Sequence, residues 1–170
     1  MRIKAQEGRY EPSGCFMNLY LVQHGESRPE TEDADRSLTE KGREEVSRVA
    51  RAVARLGIRP NRIIHSGKTR ARQTAEIMSE SLKPLKGIEP QAGLSPNDPV
   101  SPWRDRLEKS TEDLMIIGHL PFLDRLSSLI LSGAEDRGII RFRYGAVVCL
   151  ERVEGRWCHR RTVTGQDLEI

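Results

Sequence analysis

The sequence predicts an α/β protein: a single-domain three-layer sandwich built on a mostly parallel mixed sheet. Three observations predict it. Short apolar, strand-like runs alternate with amphipathic helical stretches from Leu19 to Ser132, the pattern of parallel strands joined by helices. Two of those runs end in a histidine beside a glycine, Gln23-His24-Gly25 and Gly118-His119. From Ile139 the pattern turns to β, with Glu154-Gly155 marking a hairpin, so the sheet closes with antiparallel strands. A chain of 170 residues is long enough for one domain with a substantial core.

The first strand is Leu19-Tyr20-Leu21-Val22, uninterrupted by a polar residue until Gln23. Gly25 allows a sharp turn after it, which puts His24 at the strand's carboxyl end, where open α/β sheets form their ligand crevices. Taken alone, such a histidine reads equally well as a core residue satisfied by one hydrogen bond. Residues 1–16 are polar and basic and contain no apolar signal-peptide core; they read as an N-terminal extension, with the domain running over 17–170. After Ser27 comes a loop from Arg28 to Arg36 carrying Glu30, Glu32, Asp33 and Asp35. Their spacing matches no ordered ligand set, so a solvated loop is expected rather than a metal site.

Ser37 or Thr39 caps the first helix; Ser37 with Glu40 forms a capping-box pattern. Val46, Val49, Ala50 and Val53 give its buried stripe, and Gly57 suits its end. Arg62-Ile63-Ile64-His65 is a second strand. Ser66 to Ala75 then forms a turn and the start of a second helix with Lys68, Arg70 and Arg72 near its amino terminus. Such a terminus is an anion site or simply a solvated basic helix start. The Walker pattern is missing. Residues 83–102 hold five of the nine prolines and read as a long connection, followed by a short helix from Trp103 to Lys109. Asp113 to His119 repeats the opening design, and Pro121 starts a helix that Gly133 ends. Ile139 to Tyr144, Ala146 to Val153 and Arg156 to Val163 read as strands.

Composition limits the partners. Aromatic residues make up 5% of the chain, and 28 Lys and Arg stand against 25 Asp and Glu. That excess accommodates an anionic substrate but gives no footprint for nucleic acid. No segment approaches the length of a membrane span. Cys15, Cys149 and Cys158 are odd in number and not at metal-ligand spacing, which suits reduced thiols in a cytoplasmic protein. His24 and His119 at two strand ends, with Arg70 at a third turn, can converge on one crevice. Two histidines and an arginine without an obligate carboxylate suit phosphoryl transfer better than metal binding.

Four pieces carry a more specific likeness: Val22-Gln23-His24-Gly25-Glu26-Ser27, Leu38-Thr39-Glu40-Lys41-Gly42, Arg70-Ala71-x-Gln73-Thr74 and Gly118-His119-Leu120-Pro121. In this order they resemble the histidine phosphatase superfamily, and most nearly its short SixA-type phosphohistidine phosphatases, from residue 17 to about 165. The resemblance implies a role for each matching residue. His24 is the nucleophile that takes up the phosphoryl group. Arg70 and His119 bind and stabilise it, and Gln23 and Ser27 join them in holding phosphate. No metal and no organic cofactor is implied. The substrate implied is phosphohistidine on a protein, with a small phosphorylated molecule as the alternative; phosphate or sulfate would fit the same site.

Two departures qualify this. Gln23 stands where the family has the first arginine of its Arg-His-Gly motif, and an amide supplies neither the charge nor the fork of a guanidinium. Either another cation, such as Lys68 or Arg28, takes that place, or the protein is a slow enzyme or a phosphate-binding regulatory member. No secure match exists for the carboxylic acid that larger members use on phosphate esters; Asp98 reads as that acid or as a plain turn residue. His65 and His159 are assigned no role.

Overall fold

The computed structural model describes residues 16–168. The proposed extension over residues 1–16 therefore lies outside the described residues, apart from Phe16. Six strands form one sheet in the order β3-β2-β4-β1-β5-β6: β1 (Met17–Gln23), β2 (Arg62–His65), β3 (Ile88–Pro90), β4 (Leu114–Gly118), β5 (Val147–Val153) and β6 (Arg156–Val163). The first four are parallel, while β5 pairs antiparallel with β1 and β6 antiparallel with β5. Four helices cover it: α1 (Glu40–Arg55), α2 (Thr69–Leu82), α3 (Ser101–Lys109) and α4 (Phe122–Ser132).

Side-chain alternation along each strand builds two cores. Tyr20, Val22, Ile63, Met115 and Ile117 face α1 and α2, where Val46, Val49, Val53, Ala71, Ala75 and Met78 meet them. Leu19, Leu21, Ile64, Leu114 and Ile116 face α3 and α4, against Trp103, Leu107, Phe122 and Leu126. Every residue of β4 is buried, as the unbroken run Leu114-Met115-Ile116-Ile117 requires of a strand covered on both faces.

Connection handedness decides where the site lies. From β1 through β2 to β3 the chain steps in one direction along the sheet, and from β3 through β4 to β5 it steps back. Right-handed crossovers then put α1 and α2 on one face and α3 and α4 on the other. The helices after the neighbouring strands β1 and β4 thus diverge, opening a crevice at their carboxyl ends.

The structure decides one open choice among the expected elements and changes others. Thr39, not Ser37, caps α1, its hydroxyl accepting the Gly42 N–H at 2.9 Å. The proline-rich connection contains β3, a three-residue strand at the sheet's edge where Pro90 removes no needed ladder bond, and α3 begins at Ser101. Ile139 to Tyr144 is not a strand. The pairing of β1 on the side away from β4 belongs to β5, and the segment ends instead in a turn whose Gly145 N–H reaches the Gln23 carbonyl at 2.8 Å. Lastly, a short 3-10 turn, Gly165–Leu168, follows β6. The hairpin at Glu154-Gly155 is present, both residues taking positive φ.

Candidate active site

His24 continues the pairing of β1, its N–H donating to the Gly118 carbonyl at 3.0 Å, and it is 6% exposed. The next residues lie directly against the first turn of α1. A β-carbon on Gly25 would come within 2.7 Å of Val46 Cγ2, and one on Gly42 within 2.3 Å of the Glu26 carbonyl oxygen. Both positions therefore demand glycine: side chains there would push the helix off the strand end. Thr74 locks this turn to α2, its hydroxyl accepting the Gly25 N–H at 3.0 Å and donating to the Arg70 carbonyl at 2.8 Å. The Gln73 side-chain carbonyl accepts the Leu38 N–H at 2.8 Å. Those bonds tie three of the four motif pieces together.

The His24 ring has one available tautomer. Its Nδ1 lies 2.7 Å from the Gly25 carbonyl oxygen, which only accepts, so Nδ1 carries the proton and Nε2 keeps a lone pair. Arg70 Nε donates toward that Nε2 at 3.3 Å. Burial, opposed in part by the Gly25 bond and assisted by the charges of Arg70 and Arg36, lowers the His24 pKa to about 4. The imidazole is neutral at pH 7, as a nucleophile must be.

His119, at the end of β4, is 2% exposed, and its ring centroid is 5.1 Å from that of His24. Its Nε2 shares a 2.6 Å hydrogen bond with Ser66 Oγ, and its Nδ1 is buried with no partner among the described residues. Burial, then the neighbouring His24, Arg70, Lys68 and Arg36, push its pKa down to about 3. Arg70 arises from the first turn of α2. Burial and the like charge of Arg36 both lower its pKa, with Tyr144 opposing, yet a guanidinium stays charged at neutral pH. The first turn of α2 has no side-chain cap and no acidic residue, leaving its amides and dipole to favour an anion.

Of the residues singled out in the sequence, His24, Arg70 and His119 thus stand together. Gln23 ends β1 opposite Gly118 and is 9% exposed; no hydrogen bond holds its side chain to another described residue. Ser27 pairs through its backbone with Leu38, and no hydrogen bond links its side chain to the three. Asp98 accepts the Ser95 N–H at 2.8 Å, the behaviour of a turn residue. His65 accepts the Gly67 N–H, and His159 is exposed beside Thr162. Sequence reasoning missed Ser66, Tyr144 and Arg36. Ser66 directly follows a strand, a signal that was available. Tyr144, with its ring 5.6 Å from that of His24 and half exposed, directly precedes Gly145, whose N–H bonds the Gln23 carbonyl beside His24.

The arrangement offers a neutral nucleophilic nitrogen, a second imidazole, a fixed guanidinium and an uncapped helix terminus. Among the described residues no cluster of histidine, cysteine and carboxylate side chains could hold a metal ion. A tetrahedral anion placed against His24 Nε2 would meet donors at the positions where charge spreads in phosphoryl transfer.

Comparison with known proteins agrees with that chemistry. The sequence model described as histidine phosphatase superfamily (branch 1) matches residues 19–95. An uncharacterized protein of Picosynechococcus sp. is 34% identical over 146 residues, which cover 76% of this chain and 87% of that protein. The mitochondrial serine/threonine-protein phosphatase PGAM5 of Mus musculus is 30% identical over 102 residues, covering 56% of this chain; the chain spans only 35% of that relative's length. In fold, the protein histidine phosphatase SixA, solved in complex with tungstate, superposes with a TM-score of 0.78 at 22% identity, covering 89% of this chain and 99% of the other.

Proposed function

The chain belongs to the histidine phosphatase superfamily, and we propose that it is a phosphatase acting through His24, with phosphohistidine on a protein as its substrate. In the first step the phosphorus–nitrogen bond of the substrate breaks as His24 Nε2 bonds to phosphorus. The leaving imidazole keeps the electron pair. The proton stays on Nδ1, donated to the Gly25 carbonyl, so phosphorylated His24 carries a cationic ring. In the second step water attacks phosphorus, the pair returns to Nε2, and a water proton passes to solvent with the released phosphate. Arg70 and His119 stabilise the oxygens in both steps. Ser27, at the rim, and the amide of Gln23 add hydrogen bonds to the same anion.

The observation that carries the choice of phosphohistidine is electrostatic. Among the described residues no carboxylate is hydrogen-bonded or ion-paired with His24, Arg70 or His119, whose side-chain partners are the Gly25 carbonyl, Ser66 and one another. An alkoxide leaving group needs an acid at hand. Phosphohistidine needs none, because its second ring nitrogen takes a proton from solvent near neutral pH. The likeness to PGAM5, a serine/threonine-protein phosphatase, favours a second reading, phosphoserine or phosphothreonine on a protein.

Turnover of a phosphohistidine peptide, phosphoserine and phosphothreonine peptides, sugar phosphates and phosphoglycerate, at matched concentration, separates these. The phosphohistidine peptide should be hydrolysed with the highest kcat/KM. A higher value for a phosphoester peptide would transfer the proposal to the second reading, and a preference for sugar phosphates or phosphoglycerate would make the chain a small-molecule phosphatase. Phosphate binding without turnover of any substrate would make it a regulatory member.

A further inference from the structure

We propose that Arg36 is a phosphate-binding residue of this site and supplies the second guanidinium that Gln23 does not. The inference rests on the phosphatase reading and begins from a charge deficit. A phosphoryl group carries between about 1.5 and 2 negative charges, and the residues recognised in the sequence set only Arg70 against them. Lys68 and Arg28 were the candidates to make up the difference. The Lys68 charge lowers the His119 pKa, and that of Arg28 helps lower the pKa of Asp33 in its own loop.

Arg36 is placed differently. It ends the acidic loop with φ of +49°, a left-handed conformation that is unfavourable for a non-glycine residue. The turn is held from several directions. The Arg36 N–H donates to the Asp33 carbonyl at 2.9 Å, and the Arg28 N–H to the Ser37 carbonyl at 2.9 Å. Ser27 bridges Leu38, and Leu38 in turn donates to Gln73 on α2. The loop is thereby fastened both to the segment that follows His24 and to the helix that carries Arg70. Its result is to bury Arg36 Nε, which has no hydrogen-bond partner among the described residues, although carboxylates stand within a few positions in sequence. Asp33, the nearest of them to be held in place, is engaged by the Asp35 N–H and by Ser37.

A buried donor without an acceptor and a strained backbone angle are both unfavourable in the free protein. Moreover, the Arg36 charge disfavours protonation of His24, Arg70 and His119 alike, so it lies near all three and repels Arg70. An anion bound to His24 relieves the unpaired donor and the repulsion: it accepts from Nε, and it neutralises two convergent guanidinium groups. The charge lost from the strand end at Gln23 thus returns from the loop.

Calorimetric titration with inorganic phosphate, alongside turnover of the phosphohistidine peptide, tests this on the full chain. Arg36→Gln keeps a long side chain and the same backbone preference at φ of +49°. It should weaken phosphate affinity and lower kcat/KM at least about tenfold, and Arg36→Lys should recover part of both. Arg28→Gln should leave both within about twofold. Restoring a guanidinium at the strand end, in the double variant Gln23→Arg with Arg36→Gln, should recover affinity, whereas Gln23→Arg alone should leave it flat or lower it through repulsion. Unchanged phosphate affinity in Arg36→Gln, with affinity lost in Arg70→Ala, would refute the role of Arg36 and leave the site intact. Unchanged affinity in both would overturn the site itself. A tenfold or greater gain from Gln23→Arg alone would show that the charge deficit is real and that Arg36 does not fill it.

Discussion

Two imidazoles held neutral by burial make the native state sensitive to acid in a calculable way. In the unfolded chain a histidine titrates near about 6.5; in the fold His24 titrates at about 4 and His119 at about 3. Between these values the unfolded chain binds protons that the native protein refuses. Their contribution to stability is therefore complete above pH 6.5 and is lost as pH falls toward 4 and 3. At about pH 4.5 each unfolded imidazole is roughly two pH units below its pKa while the native rings are still mostly neutral, so each costs about 2.7 kcal/mol at 1.36 kcal/mol per unit. The pair together removes on the order of 5 kcal/mol, a large part of the stability of an ordinary domain. Denaturant unfolding in phosphate-free buffer, compared between pH 7.5 and 4.5, measures it. The wild type should lose about 5 kcal/mol more than a variant with His24→Asn and His119→Asn, whose side chains do not titrate there. Added inorganic phosphate should shrink the wild-type loss, because a bound anion favours the imidazolium forms. Parallel pH profiles for the two proteins would refute the reasoning, since the rings would then titrate alike in both states.

Other outcomes follow from the packing around the nucleophile. Thr74→Val removes the acceptor of the buried Gly25 N–H and should cost about 1–3 kcal/mol; turnover should fall with it, as the turn that aims His24 loosens, and an unchanged melting temperature would show that the Thr74 bond contributes nothing. Gly42→Ala places a β-carbon against the backbone of Glu26 and should destabilise the protein by several kcal/mol through the forced separation of α1 from the strand end. Gly57→Ala, where a β-carbon meets nothing but φ is +76°, should cost only about 1–2 kcal/mol, and equal losses at the two glycines, measured by denaturant unfolding, would contradict the close-contact argument.

Much of this architecture could be read from residue patterns because the patterns are local. Val46, Val49, Ala50 and Val53 recur at the helical period, and the runs ending in Gln23 and Gly118 are long enough and apolar enough to require a covered sheet. The histidines were visible because each ends such a run. The glycines at 25 and 42 were visible as motif letters, but their reason is a helix meeting a strand end, a tertiary contact. Ile139 to Tyr144 has the propensity of a strand but leads into a turn bonded to Gln23, a contact that no local pattern records. Arg36 was the least legible. It is one arginine at the end of a mixed-charge loop, and what singles it out is a left-handed turn fastened by Ser27, Leu38 and Gln73, all of it set by contacts between segments distant in sequence.

The central claim is that His24 Nε2 takes the phosphoryl group. Millisecond mixing with a phosphohistidine peptide, followed by a quench into alkaline denaturant and mass spectrometry, reads it directly. The account predicts one phosphoryl group on His24 in the wild type, attached at the nitrogen distal to the Gly25 bond, and none in His24→Asn. Phosphoryl label on another residue, or full turnover by His24→Asn, would contradict it.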